Sequence, residues 1–281
     1  MWGWLFLGLL LGIFFTLLIR RIAYGNRRPD HLTVAEYWVY VTEPRLPKTE
    51  DLMMRMVSEN PHNKPGRVAI GAREGMLFTD LRLHVAAVLK SKNPQSFRPD
   101  LFSVSTVPNA EVLERLPDCP GFIKCRYMSE SPLKDQRHLQ FLPHMADAVS
   151  DLCGGLVIYD PISEELMVKE EFALKLSEGK NLENPLFHLR VLWQKAEDGW
   201  VAATKGLLKV GRPEWVSAPQ ELDQEVLILG LFTKAAHQVF RKPDTPWPLE
   251  FEEFGDKFIL NFSGEWQQGK QVISITRKRM A

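Results

Sequence analysis

The hydrophobic pattern divides the chain at its twentieth residue. Residues 1–19 are apolar or uncharged without interruption, and Arg20, Arg21, Arg27 and Arg28 follow with no acid among them. At 1.5 Å per residue such a run spans roughly 28 Å as a helix, close to the hydrocarbon thickness of a bilayer. Residues 1–24 are therefore expected to form a single transmembrane helix, with Trp2 and Trp4 at one interface and Tyr24 at the other. A cleaved signal peptide would carry its positive charge ahead of the run, not behind it. The arginine collar predicts contact with lipid headgroups. It also predicts a short N-terminus outside and a body on the cytoplasmic side (the matrix side in a mitochondrion). Gly8, Gly12 and Thr16 recur on one helix face, a spacing that lets a second helix approach closely.

Beyond a polar juxtamembrane linker at 25–36, the periodicity changes repeatedly. Trp38–Thr42, Phe122–Met128 and Leu156–Tyr159 read as strands, and Arg67–Ile70 as a further short one. Thr49–Ser58 has a capping threonine and two acids in its first turn, which predicts a helix. Residues 77–89 fit both periods and are assigned to a helix. Residues 109–116 form a short helix, and His138–Cys153 a long one closed by Gly154-Gly155. Leu186–Gln194 alternates as a half-buried strand, turns at Asp198-Gly199 and returns over Trp200–Thr204. Asp223–Phe240 is helical, and its apolar centre on all sides predicts deep burial. Phe258–Phe262 and Val272–Thr276 pair across Gln267–Gly269. Strands and helices without strict alternation predict an α+β body with a mixed or antiparallel sheet and packed helices, divided near 37–130 and 131–281.

Composition adds limits. With 45% hydrophobic and 25% charged residues the body is globular, not disordered. Residues 29–281 carry 31 basic against 35 acidic side chains, which argues against nucleic acid as a partner. Cys119, Cys125 and Cys153 lack paired spacing and read as reduced, buried thiols.

Candidate chemistry centres on Thr204, Lys205, Gly206, Lys209, Gly211, Arg212 and Glu214. Two glycines, three cations, a threonine and an acid within eleven residues form a candidate anion- or ligand-binding loop, although the P-loop order is absent. This Thr-Lys-Gly-x-x-Lys-x-Gly-x-Pro-Glu run ahead of a long helix resembles a bacterial domain family of unknown function. Cys153-Gly154-Gly155 before the Leu156–Tyr159 strand extends the likeness to roughly residues 130–240. The resemblance implies an α+β domain and no particular activity; Trp215 and the membrane anchor depart from the family pattern.

His138, His144, Asp147 and Asp151 lie along one helix, the last three on one face, but without a metalloprotease spacing. The acid pairs Glu164-Glu165, Glu170-Glu171 and Glu252-Glu253 read as solvated charge, as do Arg277-Lys278-Arg279 at the terminus, which also suit anionic lipid. No catalytic set, metal or cofactor is expected. The sequence thus points to a membrane-anchored, non-enzymatic accessory subunit that stabilises or covers a larger membrane assembly. Its partners would be the bilayer and other membrane subunits or a second copy. The alternative is a membrane-tethered enzyme or anion sensor using the Thr204–Glu214 loop.

Overall fold

A computed structural model describes residues 32–58, 82–103, 106–178 and 184–279. The expected anchor, its Gly8–Gly12–Thr16 face, the arginine collar and the Arg67–Ile70 strand lie outside these residues. Among the described residues no helix is long and apolar enough to cross a membrane.

The body is α+β and is built on two sheets. Sheet A contains β1 (Thr33–Val41), β2 (Leu83–Leu89), β3 (Gly121–Ser129), β4 (Gly155–Asp160) and β5 (Glu165–Val168), in the order β2-β3-β1-β4-β5. Every pairing is antiparallel. β1 is central, and nearly all of its residues are buried, because both faces of the sheet are covered. Ala35, Tyr37, Val39 and Val41 meet one layer: α1 (Thr49–Ser58), α3 (Arg137–Leu152) and α4 (Lys169–Glu178). Tyr40 meets the other, where Phe97 and Val112 and Leu116 of α2 (Ala110–Arg115) and its following turn pack on Phe122, Val157 and Tyr159. The Tyr40 hydroxyl donates to the Ser96 carbonyl at 2.6 Å and fastens that second layer to the sheet.

Sheet B contains β6 (Arg190–Ala196), β7 (Gly199–Lys205), β8 (Trp215–Ser217), β9 (Leu249–Glu253), β10 (Asp256–Gln267) and β11 (Lys270–Arg279). Its order is β6-β7-β8-β11-β10-β9, and only the β8–β11 pairing is parallel. The long helix α6 (Glu225–Arg241) lies on one face. Ile228, Leu231, Phe232, Ala235, Ala236, Val239 and Phe240 form its buried stripe, the spacing of a single apolar helix face.

Several expectations hold. α1 occupies Thr49–Ser58, α3 is followed by Gly154 at φ +64, and the β6–β7 and β10–β11 hairpins form where the turns predicted them. A Cβ on Gly154 would lie 2.2 Å from Thr42 Oγ1, so the helix can end against β1 only with glycine there.

Other expectations are corrected. Residues 83–89 are an edge strand, not a helix: all seven pair with β3, from Leu83 opposite Tyr127 to Leu89 opposite Gly121. Cross-strand partners decided a sequence that suited either period. Pro185–His188 forms one helical turn, α5, where a strand was expected. Asn184 caps it, accepting from the Leu186 N–H at 3.2 Å, and Pro185 occupies its first position. β1 begins at Thr33, inside the supposed linker, and sheet A continues to Val168, so the change of sheet falls well after residue 130. The basic terminus stays solvated, with the Arg277 side chain 58% exposed, but it belongs to β11, and Arg277 Nε is bonded to Asp256 Oδ2 at 2.8 Å. Finally, α6 is not buried all round: Val226 is 78% and Leu222, just ahead of the helix, 56% exposed.

That last correction is testable. Phe232→Ala should cost about 3–5 kcal/mol of unfolding free energy, while Val226→Ala should change it by less than about 0.5 kcal/mol, both read from urea-denaturation midpoints.

Candidate functional site

The Thr204–Glu214 segment joins β7 to β8. Gly206 breaks the strand at φ +119, Leu207–Val210 form a 3-10 turn, and Gly211 at φ +73 ends it. The segment closes around its own acid. Glu214 Oε1 accepts from the backbone N–H groups of Gly206 at 2.8 Å and Leu208 at 3.2 Å. Its Oε2 accepts from Thr204 Oγ1 at 2.8 Å, and that hydroxyl accepts in turn from the Trp215 N–H at 2.7 Å. Burial raises the Glu214 carboxyl above the usual carboxylate range, and the Thr204, Gly206 and Leu208 donors pull against it. Gly206 has a second constraint, since a Cβ there would sit 2.1 Å from the His188 carbonyl oxygen.

Two of the three loop cations turn inward. The Lys209 side chain is fully buried and pairs with Asp160 at the end of β4, itself 2% exposed. Asp160 is oriented by its own turn, with Oδ1 accepting from the N–H groups of Ile162 at 3.0 Å and Ser163 at 3.1 Å. The Lys209 ammonium stands 5.5 Å from the centroid of the Tyr37 ring on β1. Its backbone carbonyl takes a hydrogen bond from His138 Nε2 at 2.8 Å. A carbonyl can only accept, so His138 is the Nε2–H tautomer. The ring stacks on Tyr127 at 5.0 Å, and burial pushes its pKa down to about 4.

Lys205 pairs with Glu164, which occupies the β4–β5 turn at φ +56. Arg190 at the start of β6 donates from Nη1 to the carbonyls of Glu164 at 2.6 Å and Ser163 at 3.3 Å. Three cations of the second sheet therefore converge on one turn of the first. Arg212 does not join them; it meets Asp244 at 2.6 Å near the surface.

For the loop expected to hold an anion, the structure thus brings Thr204, Gly206 and Glu214 together. It commits Lys205 and Lys209 to acids of the same chain and places Arg212 elsewhere. Sequence reasoning missed Tyr37, Asp160 and Arg190, and it read Glu164 as solvated charge, whereas its side chain is 13% exposed and paired with Lys205. The local signal for Asp160 is its place ahead of Pro161, directly after the Leu156–Tyr159 strand.

The α3 face is also engaged. Arg55 of α1 donates from Nε to Asp151 at 2.8 Å and meets Asp147 at 3.2 Å, while Lys169 Nζ reaches Asp151 Oδ1 at 2.5 Å. With His144 these groups line a cavity of about 310 Å³ between α1, α3 and α4. Among the described residues no group of His, Cys, Asp and Glu is arranged to hold a metal ion. The adjacent acids diverge: Glu165 pairs with Lys175 at 2.7 Å and Glu170 with Arg115 at 2.6 Å. All three cysteines are buried free thiols, and burial pushes Cys119 up to about 11 and Cys125 to about 12, far from thiolate reactivity at neutral pH.

The chain matches no family model, no curated protein and no solved structure.

The seam makes two predictions. Asp160→Asn leaves the Lys209 ammonium buried without its counter-ion and should cost about 3–5 kcal/mol. The double variant Asp160→Asn/Lys209→Met should lose less than the two single variants combined, by a coupling above about 1 kcal/mol in a urea-denaturation cycle. His138 titrates lower in the folded than in the unfolded chain, so its contribution is complete above pH 6.5 and is lost as pH falls toward 4. The loss should reach on the order of 3 kcal/mol, and His138→Gln, which keeps a donor for the Lys209 carbonyl, should flatten that part of the stability profile.

Proposed function

We propose that this chain is a membrane-tethered, non-enzymatic accessory subunit whose α+β body attaches to a larger membrane assembly from the cytoplasmic side. The uncharged run 1–19 and the arginines behind it supply the tether and its direction. Gly8, Gly12 and Thr16 supply a face on which a second transmembrane helix packs.

The observation that carries the reading is the inward engagement of the signature loop. Of the groups best suited to bind or transform a ligand, Lys205 and Lys209 instead lock one sheet to the other, and Glu214 is spent on closing its own loop. An anion sensor at this loop would have to break a buried ion pair before binding, which costs several kcal/mol. What the body turns outward includes the apolar start of α6, where Leu222 and Val226 are exposed. Apolar side chains projecting from a helix suit a partner that meets them with apolar side chains of its own.

The test is co-purification of the intact chain from its native membrane in mild detergent. Stoichiometric membrane-protein partners are expected, and Leu222→Asp/Val226→Asp should reduce their recovery at least about tenfold without lowering the melting temperature. A chain that elutes alone, or that carbonate washing releases from vesicles, overturns the reading.

A further inference from the structure

The third cation of the loop has a different fate, and it lies at a site of its own. Arg212 lines a surface cavity of about 330 Å³ together with Trp215 at the start of β8, Val239 near the end of α6, Asp244 and Trp247 of the connector to β9, and Phe262 on β10. The volume is at the lower end of small-molecule sites. Its floor is aromatic. Trp215 and Trp247 meet edge to face at 5.1 Å, and the Trp247 and Phe262 rings lie 4.0 Å apart at 37°. Trp215 is buried in the core beneath, so the floor is anchored. Pro243, Pro246 and Pro248 restrict the connector that carries Trp247, which reduces the entropy lost when something is held against that ring.

At the rim stand one cation and one anion. The Arg212 side chain is 37% exposed and that of Asp244 fully so, and the two pair with each other at 2.6 Å. An exposed pair of this kind contributes little to stability and is readily exchanged for other partners. A guanidinium binds a carboxylate through two parallel hydrogen bonds, and a carboxylate accepts from an ammonium. Opposite charges side by side above an apolar floor are complementary to a molecule with the same three parts in the same closeness.

We propose that this cavity binds a free α-amino acid with an apolar side chain. Its carboxylate lies on Arg212, its ammonium on Asp244, and its side chain on Trp247 and Phe262 over Trp215. Both charges of an α-amino acid sit on one carbon, which matches the spacing of the Arg212–Asp244 pair. The inference concerns a small ligand and stands whether or not the body also docks on a membrane partner.

Isothermal titration of the full chain in mild detergent with L-phenylalanine and L-leucine tests it. Saturable binding with Kd at or below about 1 mM is expected. Arg212→Gln, Asp244→Asn and Trp247→Ala should each weaken binding at least about tenfold, with the melting temperature of the two rim variants unchanged. N-acetyl-phenylalanine amide, which lacks both charges, and L-glutamate, which lacks the apolar side chain, should not bind. No saturable heat up to about 10 mM would overturn the proposal. So would an affinity in either rim variant unchanged from that of the unaltered chain, an affinity for the blocked analogue equal to that for L-phenylalanine, or tighter binding of phosphocholine.

Discussion

Arg190 and Lys205 of the second sheet and Lys209 of its β7–β8 loop all grip the end of β4 and the turn that follows it in the first. Removing Lys209 and Asp160 from water carries a penalty of several kcal/mol per ion, and their mutual attraction alone does not reliably repay it. The two N–H donors from Ile162 and Ser163 help to offset that penalty on the Asp160 side. On the Lys209 side the Tyr37 ring presents its electron-rich face. The balance is close to neutral, so the net stability of the body comes from its apolar layers, where each fully buried Leu or Phe contributes about 1.5–3 kcal/mol. The ionic seam supplies direction. Hydrophobic layers tolerate sliding and rotation, whereas a buried ammonium has one acceptable partner and one acceptable place.

That division of labour explains the shape of the β7–β8 loop. Its hydrogen bonds are satisfied almost entirely from within: Glu214 accepts from the two N–H groups that the 3-10 turn leaves open, and Thr204 relays to the Trp215 N–H. A self-satisfied loop is stiff, and a stiff loop can hold a lysine at a defined depth. Gly206 is required twice, once for its left-handed backbone and once because the His188 carbonyl crosses directly beside it. The aromatic and histidine rings of α3, α5 and α6 then stack around the seam: His138 on Tyr127, and His188 on Phe240 at 5.8 Å.

Much of this was legible in the sequence, and what was not has identifiable causes. Helix α3 could be read because its apolar spacing, its length and Gly154-Gly155 agree. The α+β class followed from mixed periods. Residues 83–89 were misread because a short apolar run satisfies two periods and only the partner strand decides between them. Residues 185–188 were misread although Asn184-Pro185 is a helix start, because the alternation from Phe187 to Trp193 drew the strand backward across it. The apolar centre of α6 implied burial on every side, but a helix on one face of a single sheet can bury only one stripe, and Val226 falls off it. The candidate loop was found by its residue types, yet its role was hidden. The acids that answer Lys205 and Lys209 lie 41 and 49 positions upstream. Local pattern cannot reveal a pair that exists only after two sheets meet.

The same loop also shows how one short segment can face two ways. A 3-10 turn advances three residues per revolution, so residues three apart eclipse one another. Continued past Val210, that geometry would send Arg212 inward beside Lys209, where a second ammonium-like charge would find no second acid. Gly211 prevents this by adopting φ +73, which reverses the chain and carries Arg212 out toward Asp244. Gly211 thus divides the three cations by fate. Those before Gly211 are fixed into the seam, where desolvation makes exchange costly, and the one after it is left at an aromatic cleft, where exchange is easy. Rigidity at the seam and availability at the cleft are consequences of a single reversal of the backbone.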